Sequence, residues 1–205
     1  MSGIKNEFTF NFDGEHNLRE IAAQQMGGIL LSAHIGNWDI AGHLLKRLET
    51  RINIVIFDGE YQKIKEYLNS VTGKRPVNVI VIKNDLSHIY AINDALKNNE
   101  LICMHADRFI EGNKTLTTPI CGQEARFPMG PFLLASKFKV PVSFVFALKE
   151  TNLHYHFFAS EVKDYSGLEK DKVMQQMLND FAEEMEKKVR QYPSQWFNYY
   201  NFWEQ

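Results

Sequence analysis

Apolar and polar positions follow two rhythms along this chain. Phe8-Thr9-Phe10-Asn11-Phe12 alternates with period two and predicts an edge or half-buried strand, closed by Asp13-Gly14. Asn17 to Met26 suits a short helix, and Gly27-Gly28 then punctuates the chain. Ile29–Ala33, apolar except for Ser32, is read as a buried strand. A polar turn follows (His34-Ile35-Gly36-Asn37), and then a helix over Trp38–Leu48 with Ile40, Ala41, Leu44, Leu45 and Leu48 inward. The same alternation continues with strands at Arg51–Phe57, Asn78–Ile82 and Leu101–Met104. Helices are predicted between them at Tyr61–Val71 and Ser87–Leu96.

Strands alternating with helices in this way predict an α/β fold: a central mixed, mostly parallel sheet flanked by helices. In such sheets ligands bind at the carboxyl ends of the strands. His34 and Asp107 both fall just past predicted strand ends, which points to one site.

Phe109–Thr118 is polar and reads as a loop. Thr118–Cys121 and Glu124–Phe127 bracket Gly122-Gln123 and read as a hairpin. A helix with Pro near its start is expected over Pro128–Phe138. Pro141–Leu148 and Leu153–Ser160 predict two long strands, antiparallel across Lys149–Asn152. Ser166 and Glu169 have capping-box spacing ahead of a strongly amphipathic helix carrying Met174, Met177, Leu178, Phe181, Met185 and Val189. Pro193 stops that helix, and Trp196–Trp203 then holds six aromatics in eight residues. Such a tail either closes a core or lies in a membrane interface.

Composition narrows the function classes. The 205 residues fit one domain, 1–205, with 44% hydrophobic and 23% charged residues, as in an ordinary globule. A net charge of −2 argues against nucleic acid as a partner. Two cysteines, Cys103 and Cys121, make no disulfide framework, so a reducing compartment is the default. The first residues lack the basic and apolar regions of a signal peptide, and no apolar run reaches membrane-spanning length.

His34 and Asp39 are the leading candidates for chemistry. On an ideal helix five residues rotate side chains about 140° apart. The pair can meet only if Gly36 and Asn37 break that geometry. It would then be a base oriented by a carboxylate. The other reading makes Asp39 a residue complementing a helix dipole and His34 a satisfied buried polar group. His105-Ala106-Asp107-Arg108 offers metal ligands or, without metal, an arginine able to hold phosphate or carboxylate. A metal-dependent hydrolase built from His34, Asp39, His105 and Asp107, with His43 nearby, is an alternative, as is a non-catalytic lipid-binding module. Phe127-Pro128-Met129-Gly130-Pro131 enters a helix whose backbone N–H groups could cradle an anion. No GxSxG, GxGxxG or Walker motif is present, and Cys103 lies inside an apolar strand, so no nucleophile stands out.

Ser32–Gly42 (SAHIGNWDIAG) resembles the catalytic block of the lipid A late acyltransferases, within the lysophospholipid acyltransferase superfamily. The resemblance continues in order through Asp13–Leu18, Ala106-Asp107-Arg108, Phe127–Ala135, Val140-Pro141-Val142 and Pro193–Phe197, covering nearly the whole chain. It implies a glycerolipid acyltransferase-like fold and an O-acyltransferase. Such an enzyme moves a fatty acyl group from an acyl-carrier-protein or coenzyme A thioester to a hydroxyl of a lipid or glycolipid. It implies His34 as the base and Asp39 as its partner, with Asn37, Trp38, Asp107, Arg108, Gly130 and Pro131 toward the substrates. No metal and no cofactor beyond the thioester donor are implied. Peripheral contact with the cytoplasmic face of the inner membrane is implied too. The chain departs from the family pattern at Asp39, where the lipid A branch usually has Glu, and at Arg108, where Gln is usual. It is also expected to lack the family's N-terminal membrane segment.

Overall fold

The computed structural model describes residues 8–37, 48, 50–57 and 77–204. The predicted helices at Trp38–Leu48 and Tyr61–Val71 fall almost wholly outside these residues. Nine strands are described: β1 (Thr9–Asp13), β2 (Gly28–Ser32), β3 (Ile52–Phe57), β4 (Val77–Ile82), β5 (Leu101–His105), β6 (Thr115–Ile120), β7 (Gln123–Pro128), β8 (Val142–Lys149) and β9 (His154–Ala159). The described helices are α1 (Glu15–Ala23), α2 (Ser87–Lys97), α3 (Met129–Phe138) and α4 (Val173–Gln191).

Seven strands form one sheet in the order β1-β9-β8-β2-β5-β3-β4. Strands β8, β2, β5, β3 and β4 run parallel to one another. The β8–β9 pair is antiparallel, and β1 joins β9 in parallel, so the sheet is mixed at that edge alone. The predicted α/β class is therefore the observed one. Strand β2 sits in the middle, and Gly28 to Leu31 are buried on both faces. Period two sends Ile29 and Leu31 into the main core with α2, α3 and α4. Leu30 goes to a smaller cluster with Leu18 and Ile21 of α1.

The main core is organised around Phe181 of α4, which is fully buried. Its ring lies 5.6 Å from Phe144, 5.8 Å from Phe132 and 6.3 Å from Phe127, each edge-on or nearly so. One side chain thus ties α4 to β7, α3 and β8.

Two expectations are corrected. The segment read as a loop to Thr118 is a strand from Thr115, paired residue by residue with β7 from Thr115↔Pro128 to Ile120↔Gln123. Its threonines hid it: Thr118 is buried, and its Oγ1 donates to Asn179 Oδ1 of α4 at 2.8 Å. The turn falls at Cys121 and Gly122, both with positive φ (54° and 84°). The capping-box pair does not cap α4, which begins at Val173 with no side-chain cap bond. Ser166 instead donates its N–H to Asp164 Oδ1 (2.8 Å) in a preceding turn. Residues 166–172 offer little to bury, and the helix starts at Val173, which is buried.

Phe181→Ala should therefore cost about 3–5 kcal/mol, as other buried Phe truncations do. Urea unfolding followed by circular dichroism checks it. A loss below about 1 kcal/mol would mean this core can repack around the missing ring.

Candidate active site

The backbone leaves β2 at Ser32 and turns sharply through His34, Ile35, Gly36 and Asn37. Two segments hold that turn. Asn37 N–H donates to Ala147 O of β8 at 2.7 Å, and Gly36 N–H donates to Gln195 O at 2.9 Å. Phe197 N–H donates to His34 O at 3.1 Å, and Ile35 bridges Trp196. Gly36 has φ +71°, and a Cβ there would stand 2.0 Å from Ala147 O. Only glycine fits this approach.

His34 meets Asp107 at the neighbouring strand end. Its Nδ1–H donates to Asp107 Oδ1 at 2.8 Å, and its backbone N–H donates to Oδ2 at 2.9 Å. The parallel β2–β5 register, Ser32↔His105, places the two strand exits side by side. The Asp107 carboxylate is 1% exposed and the His34 ring 21%, so the acid is sealed while the imidazole stays reachable. Burial by itself would raise the Asp107 carboxyl. The hydrogen bonds from His34 and the charges of His34 and His105 outweigh it, and hold the carboxyl below 3.8.

His105 completes the group. Its Nδ1 lies 3.2 Å from His34 Nε2, and the rings meet edge-on with centroids 4.2 Å apart. Burial, reinforced by the neighbouring His34, pushes His105 down to about 4, so it is neutral at pH 7. His34, His105 and Asp107 offer the ligand atoms that suit a metal, all within 4.8 Å of one another. Those atoms are here bonded among themselves.

The site opens on a large cavity of about 1060 Å³. Its walls are mostly apolar and include Leu18, Ile54, Leu133, Val145 and Phe157, while His34, His105 and Arg108 bring polar groups to it. Gly130 and Pro131, in the first turn of α3, line the same cavity. Arg108 donates an Nη2–H to Phe197 O, and its buried Nε has no partner among the described residues. Cys103 also lines the cavity, but burial pushes its thiol up to about 12. It is no thiolate at neutral pH.

Of the residues singled out from sequence, His34, Asp107, Arg108, Gly130 and Pro131 thus come together. Asn37 contributes its backbone to the turn. Trp38, Asp39 and His43 lie outside the described residues. The carboxylate seen on His34 Nδ1 belongs to Asp107, which the resemblance set toward the substrates. His105, weighed from sequence only as a metal ligand, is a direct neighbour of the imidazole. The Pro193–Phe197 segment, legible as a helix stop and as the last of the resembling blocks, clamps the turn.

A mostly parallel α/β sheet with a His–carboxylate pair at adjacent strand ends, beside an apolar cavity, places the chain in the broad class of α/β proteins with a strand-end site. The chain belongs to one family within it: the model of the bacterial lipid A biosynthesis acyltransferases matches residues 2–205. No curated protein matches it. The family transfers acyl groups onto lipid, which takes the place of the metal-dependent hydrolase reading. Among the described residues no helix is long and apolar enough to cross a membrane.

Two outcomes follow from this geometry. Gly36→Ala should destabilise the fold by at least about 1–2 kcal/mol from the left-handed backbone alone, with the clash against Ala147 added; urea titration measures it. The Asp107 bond should also be visible in pH. Its folded carboxyl titrates below the unfolded one, so its contribution is present above pH 3.8 and is lost as pH falls through the lower folded value. The stability gap between wild type and Asp107→Asn should be widest near neutrality and close in acid. A pH-independent gap would mean that the charge contributes nothing.

Proposed function

We propose that this protein transfers a fatty acyl group from an acyl-carrier-protein or coenzyme A thioester to a hydroxyl of a lipid or glycolipid acceptor. His34 is the general base. The single observation that carries the reading is the His34–Asp107 pair at the mouth of the apolar cavity.

The chemistry runs as a direct transfer. The Asp107 carboxylate holds the proton on His34 Nδ1 and leaves the Nε2 lone pair for the acceptor. Nε2 takes the acceptor's hydroxyl proton while the oxygen attacks the thioester carbonyl carbon. A tetrahedral oxyanion forms, the C–S bond breaks, and the thiolate recovers the proton from His34 Nε2. Asp107 stabilises the imidazolium between these steps. No covalent acyl-enzyme is required, in keeping with a Cys103 that stays a thiol.

The cavity suits a fatty chain. Its volume is at the upper end for small-molecule sites, and its lining is apolar. Arg108 and the first turn of α3 around Gly130 and Pro131 suit the anionic portion of donor or acceptor. Asn37 and Trp38 belong with the substrate groups by family resemblance, and Asp39 is a second carboxylate to weigh as partner of His34. A membrane-bound acceptor calls for peripheral contact with the cytoplasmic face of the inner membrane.

Thioester turnover with a lipid acceptor tests the reading. His34→Ala and Asp107→Asn should each lose roughly 10²–10⁴ in rate, the usual worth of a positioned base. Wild-type rates in both would overturn the mechanism. Retained rate in Asp107→Asn with loss in Asp39→Asn would move the partner role to Asp39. Copurified lipid without any turnover would instead mark a lipid-binding module.

A further inference from the structure

The Asp107–His34 bond has a consequence one residue further on. An ionised carboxylate only accepts, so His34 Nδ1 must carry a proton. With His34 neutral, Nε2 is then a bare lone pair. His105 Nδ1 sits 3.2 Å from that lone pair, and two bare nitrogens would repel. His105 must therefore present Nδ1–H. Its neighbours in charge are His34 across the strand pair, and Asp107 and Arg108 on its own strand end. The chain Asp107–His34–His105 thus has one consistent proton arrangement in the resting protein, set from the buried carboxylate outward.

We propose that His105 is a positioning residue: its Nδ1–H occupies the lone pair of His34 that the acceptor hydroxyl must use, and holds the ring until the acceptor displaces it. This rests on reading His34 as the base. The cap makes physical sense at the mouth of an open cavity. A lone pair left bare there would be solvated by water, the competing nucleophile that hydrolyses a thioester. A weak neutral donor at 3.2 Å fills the position and is readily exchanged for the hydroxyl. The ring orientation it enforces is the one the acceptor meets. Once His34 holds the acceptor's proton on Nε2, two N–H groups cannot face each other. His105 must then turn away or shift its own proton to Nε2.

Histidine-selective ¹⁵N correlation spectra of the full chain test the pairing without any need for catalysis. At mildly alkaline pH, where histidine rings are neutral, both His34 and His105 should show protonated Nδ1 and bare Nε2. In Asp107→Ala the constraint is released, and His105 should change to the Nε2–H form as His34 Nε2–H turns to face it. A wild-type His105 protonated at Nε2 overturns the proposal, and this wild-type measurement stands even if the variant does not fold.

Turnover adds the functional half. His105→Phe keeps a ring but has no donor, and kcat should fall about 3–10-fold, the worth of one neutral hydrogen bond, with no rise in acceptor KM. Thioester hydrolysis relative to transfer should rise. His105→Asn, whose amide N–H reaches a similar place, should restore most of kcat and the partition. Equal loss in both variants, or an unchanged hydrolysis ratio, would reduce His105 to packing. Tautomers as stated in a protein with no thioester turnover would sink the acyltransfer reading and leave the pairing intact.

Discussion

The Asp107 carboxylate has two oxygens and gives both to one residue: Oδ2 to the backbone N–H of His34 and Oδ1 to its ring. An ionised group at 1% exposure is tolerable only with such partners, because an unpaired buried charge costs several kcal/mol. The requirement runs in both directions. His34 must leave β2 at the point where its N–H faces Asp107, and β5 must end level with β2. The next rung of the ladder, Ala106 N–H to Ser32 O at 2.8 Å, keeps the two exits in step. Strand register and the geometry of the imidazole are therefore one constraint.

A base fixed on one side alone would still swing with its loop. Here the loop is held from two further directions, by Ala147 at the end of β8 and by Gln195 to Phe197 after α4. The tail is itself anchored. Phe202 is 1% exposed and packs edge-on against Phe127 and Trp196, and Trp203 Nε1–H donates to Ile120 O at 3.1 Å. The aromatic run is divided. Trp196, Phe202 and Trp203 join the core, while Phe197, Tyr199 and Tyr200 remain exposed. Such rigidity is what the proposed proton transfer needs, because misplacement by an ångström is costly in rate.

The rest of the site follows from polarity. The cavity wall is mostly apolar, and the forms of Cys103, His105 and Asp107 suit the proposed proton transfer. Burial holds Cys103 as a thiol and His105 as a neutral ring, and the His34 bonds hold Asp107 as an anion. Each is the product of its immediate neighbours, and the proposed mechanism assigns the proton exchange to His34.

Most of the fold was legible in the chain itself, because burial imposes periodicity on any segment that packs. The mostly apolar strand at Ile29–Ala33, the alternating Phe8–Phe12 and the 3–4 spacing around Phe181 each declare their partners' side. The hairpin was legible, but β6 begins three residues earlier than the pattern suggests, because none of Thr115, Leu116 and Thr117 is fully buried. The start of α4 was misplaced because Ser166 and Glu169 satisfy a local rule without the burial that would make a helix there worthwhile. The family, too, could be read from ordered blocks of residues. What the linear order could not decide was which carboxylate meets His34 Nδ1 and what stands at Nε2. Those contacts join residues 71 and 73 positions apart. They exist only because parallel pairing of β2 with β5 sets two strand ends at one place, and no spacing rule along the chain encodes that juxtaposition.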